Sequence, residues 1–135
     1  VARIVLTDVS VSINSVDLSD HIANVALNQS FAEVETTAFG DTARTRVAGL
    51  GDHSLSLDFH QDFSASEVEA TIAPLIGTTT AVVIKPTSGA VAADNPSYSF
   101  DVLVTEWSPV SGAVGDLATA SVTWPVSGAI TKATS

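Results

Sequence analysis

The sequence predicts a mostly β protein: an antiparallel β-sandwich or partial barrel with one flanking α-helix and a long extended arm. Three observations carry that expectation. Val, Ile, Leu and Ala dominate the apolar residues, with abundant Ser and Thr and five Pro among 135 residues, a palette suited to pleated, half-buried surfaces. Residues 54–62 alternate, Leu55, Leu57, Phe59 and Gln61 against Ser54, Ser56, Asp58, His60 and Asp62, as in a strand with one face on a core. Between Phe31 and Phe63 lies a polar, Gly-punctuated connection of about twenty residues, where compact domains use roughly 4–6.

The elements follow in order. Residues 4–6 and 9–13 are β-rich runs, and Asn14-Ser15 sits where a tight turn brings 16–18 back antiparallel. Ser19-Asp20-His21 makes a brief turn. A second strand spans about 23–33, with Val25, Leu27, Gln29 and Phe31 on one face. After the strand at 54–62 the period changes: Ser64-Ala65-Ser66-Glu67 has the capping-box pattern, and Val68, Ile72, Leu75 and Ile76 follow at helical spacing. The spacing predicts a helix over 65–76, distorted by Pro74 and stopped by Gly77. Residues 80–85 read as a buried strand ended by Pro86, and 87–95 as a small-residue loop. Two further strands, 98–107 and 117–126, form an antiparallel meander, and 131–135 is a polar tail that frays or reaches a neighbour.

Length suits one domain over 1–135, able to bury ~68% of the surface of its unfolded chain. No repeat or linker divides it. Absence of cysteine excludes a disulfide framework, a thiolate metal site and a cysteine nucleophile. No apolar run approaches the ~18 residues of a membrane span, and the N-terminal residues do not form a basic stretch followed by a cleavable apolar one. The chain therefore reads as soluble and unexported, and a start at Val1 fits removal of an initiator Met.

Fifteen Asp and Glu against five Lys and Arg give a net charge of −10. Five scattered cations cannot build a phosphate-neutralising surface, so conventional nucleic-acid binding is disfavoured. Catalytic signals are missing: no Ser stands in a G-x-S-x-G elbow, and neither Gly49-Leu50-Gly51 nor Gly40-Asp41-Thr42 makes a phosphate loop. Asp58, His60 and Asp62 share a strand face, with His53 or His21 as an added ligand, but same-face neighbours on one strand lie roughly 7 Å apart and rarely converge on one ion. A solvated face is the better reading, so no metal, cofactor or catalytic residue is assigned. Trp107 and Trp124 read as core before they read as a sugar platform; the alternation leaves the face of Trp107 open and puts Trp124 with Ala118, Ala120 and Val122.

The arm at 34–52 has too little apolar spacing for a core of its own, yet Phe39, Val47 and Leu50 are too apolar for a solvated linker. The expected role is contact with a neighbouring subunit, through Thr36, Thr37, Phe39, Asp41, Arg44, Arg46, Val47 and Leu50. Phe39 serves as apolar anchor, and Arg44 and Arg46 as partners for acids of another subunit, with pairing to Glu33, Glu35 or Asp41 of the same chain as the competing reading.

The order of VSINSVDLSDHIANVALNQS, EVETTAFGDTARTRVAGLGDHSLSLDFHQDF, EATIAPLIGTTTAVVIKPTS, NPSYSF and GDLATASVTWPVSGAITKATS resembles the major tail tube proteins of long-tailed, siphovirus-type bacteriophages, especially those of actinobacteria. The TTAFGD arm, the SLDFHQDF strand, the LIGTT helix exit and the SGAITKATS ending carry most of it. The resemblance implies hexameric rings stacked into a hollow tube, a long loop reaching the adjacent ring, and no catalytic residues. It also implies tape measure, tail terminator and distal tail proteins as partners, a place in the virion tail after assembly in the host cytoplasm, and DNA passing without specific binding. Acids facing the bore would repel phosphate, and Asp58, Asp62, Asp101 and Glu106 are the candidates. A capsid decoration or receptor-binding β module of the virion is the alternative.

Overall fold

Alternating apolar and polar residues wrap one curled antiparallel sheet around one apolar cluster. The computed structural model describes residues 3–135; Val1, on which the expectation of a processed start rests, lies outside them. The strands are β1 (Ser10–Ile13), β2 (Val16–Asp17), β3 (Ile22–Asn28), β4 (Phe31–Glu35), β5 (Arg46–Gly51), β6 (Ser54–His60), β7 (Thr79–Lys85), β8 (Ser97–Leu103) and β9 (Thr119–Ala133), with one short helix, α1 (Val68–Ile72). Seven strands join in the order β2-β1-β7-β8-β9-β6-β3 and curl into a half-barrel, while β4 and β5 pair separately. The expected partial barrel with a flanking helix is what forms. Among the described residues, no helix is long and apolar enough to cross a membrane.

Asn14 and Ser15 take φ of 50° and 66°, as a two-residue hairpin turn requires, and Ile13 pairs with Val16. Residues 4–6 are not a strand, contrary to expectation, and Ile4, Val5 and Leu6 are exposed. Beyond β2, both the hydroxyl and the amide of Ser19 donate to Asp17 Oδ1. These two bonds, the hydroxyl's first, hold the Asp17 carboxyl below its usual value, and Lys85 adds to them. A depressed folded pKa contributes stability that is present above the unfolded value and lost as pH falls through the folded one. Asp17→Asn is therefore expected to flatten the fall in melting temperature below about pH 4. Melting curves across that range check it, and an unchanged acid limb would place the lability elsewhere.

In β6, Leu55, Leu57 and Phe59 are buried and Ser54, Ser56, Asp58 and His60 are half-exposed, following the alternation. Thr80, Val82 and Ile84 of β7 are buried but Val83 is exposed, so that strand has one core face rather than two. The long β9 changes partner midway: residues 119–125 pair with β6 and 126–133 with β8. Pro125 stands at the handover, a position where a missing N–H is tolerated. The expected end at 126 and loose tail at 131–135 are corrected, because Thr131 pairs with Ser99 and Ala133 with Ser97. In the other direction, β8 stops at Leu103 rather than 107.

The helix is shorter than 65–76. Ser66 takes φ of 63°, Ser64 N–H donates to Asp62 Oδ1 at 2.8 Å, and the N-cap is Glu67 without a side-chain bond, so the capping box does not form. Val68 and Ile72 bury the helix against the core, Pro74 falls in a following 3₁₀ turn, Ala73–Leu75, and Gly77 at φ 80° ends it. Trp107 settles half-buried, its ring edge-on to Phe59 at 5.6 Å and its Nε1 donating to Glu69 Oε2 at 2.7 Å. Trp124 is fully buried, as expected.

Candidate functional site

The chain leaves the half-barrel after β3 and returns at β6, and everything between projects as the β4–β5 hairpin. Its root is fastened by Ser30, whose N–H donates to His53 Nδ1 at 3.2 Å and whose hydroxyl donates to the Asp52 carbonyl at 2.7 Å. Phe31 stands edge-on to the buried His53 ring at 5.2 Å. Gly51 lets these rings approach, since a Cβ there would lie 2.9 Å from His53 Nε2 and 3.0 Å from Phe31. Along the strands Val34 pairs with Val47 and Glu35 with Arg46.

The tip is built from its own polar groups. Thr36 N–H donates to the Thr45 carbonyl at 2.8 Å, and Thr45 N–H donates to Thr37 Oγ1 at 2.9 Å. Asp41 Oδ2 accepts from Ala38 N–H at 2.7 Å across a turn that Gly40 permits at φ 94°. Phe39 is thereby left fully exposed at the apex.

The arm expected at 34–52 without structure of its own is thus a paired hairpin that begins at Phe31, and the expected single strand over 23–33 breaks at Gln29 and Ser30. Sequence periodicity misses this because neither hairpin face meets a core: β4 is exposed throughout and β5 nearly so. Phe31, Val34, Val47 and Leu50 are all exposed, Leu50 to 87%. A two-stranded ribbon with that much uncovered apolar surface is marginal alone in water.

Within the chain, Arg44 Nη1 donates to Glu35 Oε1 at 2.8 Å and Arg46 pairs with Glu33. Both pairs are exposed, so they contribute little to the fold and are cheap to exchange for other partners.

The four candidate acids do not share one surface. Asp58 lies on β6, opposite Asn24 and Ser121, and Asp101 lies exposed on β8, opposite Ala81 and Ser127; both turn away from the core. Glu106 is beyond the end of β8 rather than on a strand, and its Oε1 accepts the Thr123 N–H at 2.9 Å. Asp62 is beyond β6, its carboxyl held below the usual value by the Ser64 amide and then the Ser64 hydroxyl. It therefore leaves the face of Asp58 and His60, and joins His21 and Glu67 instead.

Other exposed surfaces went unread in the sequence. Val110, Val114 and Leu117 stand out from the connection before β9, and an apolar residue among Gly, Ser and Pro in a loop was the signal available. Between the sheet's two open edges lies a groove of about 650 Å³, lined by Leu6, Val9, Asp17, Ile22 and Val25 among others.

No protein-family model matches the chain, and no curated protein matches it. Solved structures do. A chain of the virion of a native gene transfer agent particle superposes with a TM-score of 0.74 at 11% identity, over 93% of this chain and 95% of that one. A chain from the tail of an empty gene transfer agent particle, refined with C6 symmetry, gives 0.60 at 13% identity over 82% and 81%. A chain of the six-fold symmetrised baseplate of an anti-feeding prophage gives 0.55 at 11% identity over 98% and 97%. The shared property is the fold.

Proposed function

We propose that copies of this chain form stacked hexameric rings, the tube of a long phage-type virion tail, serving as an acidic conduit for DNA. The observation that carries the reading is the β4–β5 hairpin: an exposed apolar ribbon with no core of its own, on a half-barrel whose sheet edges remain open. Unlike patches on one chain generate rings or filaments when copies meet head to tail, and unpaired strand edges supply such patches. Support comes from the fold shared with chains of tail and baseplate particles refined with six-fold symmetry.

In this arrangement the hairpin reaches the adjacent ring, Phe39 and Leu50 anchor it, and Arg44 and Arg46 exchange Glu35 and Glu33 for acids of the neighbour. Asp58 and Asp101 are the acids assigned to the bore, being turned from the core and free of ion pairs among the described residues. Repulsion of phosphate over a screening length of ~8 Å keeps a sliding duplex off the wall.

Negative-stain microscopy of concentrated protein tests the reading, with uniform hollow filaments expected. Discrete particles that coat a capsid or bind a receptor would replace it with the decoration or receptor-binding module. Asp58→Lys combined with Asp101→Lys is expected to leave tubes intact and lower genome delivery at least about tenfold per particle. An unchanged titre at equal particle number removes these residues from the bore.

A further inference from the structure

Two segments distant in sequence meet beside the helix: the 3₁₀ turn Ser19–His21 after β2, and the connection from β6 to α1 that carries Asp62 and Glu67. There His21 Nε2 lies 2.8 Å from Glu67 Oε2, 3.4 Å from Asp62 Oδ2 and 3.8 Å from Asp20 Oδ1. We propose that His21, Asp62 and Glu67 form a binding site for a divalent transition-metal cation of the zinc class, with the exposed Asp20 beside it.

The geometry is close to that of a ligand set. At metal–ligand distances of about 2.0–2.2 Å, the donors of a tetrahedral ion lie roughly 3.3–3.6 Å apart. The three donor atoms fall within 4.8 Å of one another, and both distances from the imidazole nitrogen bracket the lower end of that edge. Small side-chain rotations would complete it.

Donor chemistry narrows the ion. One imidazole with two carboxylates suits zinc and its neighbours, whereas calcium takes six to eight oxygens and magnesium keeps most of its waters. Charge favours a cation as well: one imidazole faces three carboxylates, and neither Lys nor Arg pairs with any of them among the described residues. Asp62 is aimed in advance, because Oδ1 is occupied by the Ser64 N–H at 2.8 Å while Oδ2 points to His21. The His21 side chain is 19% exposed, enough for entry from solvent. A bound ion would clamp the turn after the first hairpin to the start of the helix.

The competing account is a hydrogen-bonded ion pair with no ion to hold, and calorimetry separates the two. Metal-stripped full-length protein without a histidine tag is titrated with zinc chloride, then with magnesium and calcium chloride. The expected result is one zinc per chain, a raised melting temperature, and affinity at least about 100-fold above that for magnesium or calcium. His21→Asn and Glu67→Gln each weaken zinc binding by at least about 30-fold, while His60→Asn leaves it unchanged. If His21→Asn does not fold, Glu67→Gln, whose native side chain is 37% exposed, carries the comparison. Absence of stoichiometric zinc binding, or equal affinity in wild type and Glu67→Gln, overturns the site.

Discussion

Phe39→Ser combined with Leu50→Ser yields a subunit that melts like the wild type and polymerises only at much higher concentration. Neither side chain has a role in the fold to lose: Phe39 stands free at the hairpin apex and Leu50 is almost wholly exposed on β5. Surface substitutions of this kind change stability by no more than ~0.5 kcal/mol. Assembly is different, because in the proposed tube each side chain is buried against a neighbouring ring, worth about 1.5–3 kcal/mol. Losing both removes roughly 3–6 kcal/mol per contact, and each ~1.4 kcal/mol is a factor of ten in the association constant. The concentration needed for tubes should rise by at least about 100-fold, as read by sedimentation and microscopy across a dilution series. Tubes at the wild-type concentration would take the hairpin out of the assembly contact. A lowered melting temperature would instead show that the two residues serve the subunit.

That hairpin is also where the sequence reading and the structure part most instructively. β6 was legible because Leu55, Leu57 and Phe59 press on a core while their neighbours do not, and β1–β2 because Asn14-Ser15 is a turn signal. No such contrast exists between Phe31 and Gly51, where both faces of the ribbon meet solvent, so the segment looks like a loop. The excess of apolar Phe39, Val47 and Leu50 was legible all the same, and the hairpin leaves those three side chains exposed whether or not the backbone pairs.

β9 was cut short for a different reason. Pro125 and Gly128 interrupt the alternation, and no local rule says that a strand will trade one partner for another at that point. The helix starts later than its spacing suggests because Ser66 takes a left-handed φ of 63°, which leaves Glu67 as the N-cap. Asp62 and His21 were both among the residues the sequence offered, but the approach of His21 to Asp62 and Glu67 depends on tertiary packing. Same-strand spacing instead drew attention to His60, which the fold leaves outside the cluster.

Trp124→Ala is expected to cost the subunit about 3–5 kcal/mol, the range for removing a large buried aromatic, against a total stability of about 5–15 kcal/mol. The position explains why the loss should sit at the top of that range. Trp124 is the last residue before the handover at Pro125, so it marks where β9 leaves β6 for β8. Its ring lies opposite Leu55, packs 6.5 Å from the Phe59 centroid, and sends Nε1–H to the Glu106 carbonyl at 2.9 Å. Phe59 in turn meets Trp107, whose indole reaches Glu69 on the helix. One side chain therefore ties β6 to the segment that follows β8 and, through two aromatic contacts, to the helix. Trp124→Phe separates the contributions: it keeps most of the packing and leaves the Glu106 carbonyl without this donor, a loss of about 1–3 kcal/mol. Urea titrations should show lower midpoints with slopes unchanged. A loss below about 1 kcal/mol for Trp124→Ala would mean that β6 and the segment after β8 hold together without this pin. The backbone ladder of β9 would then be what bridges them.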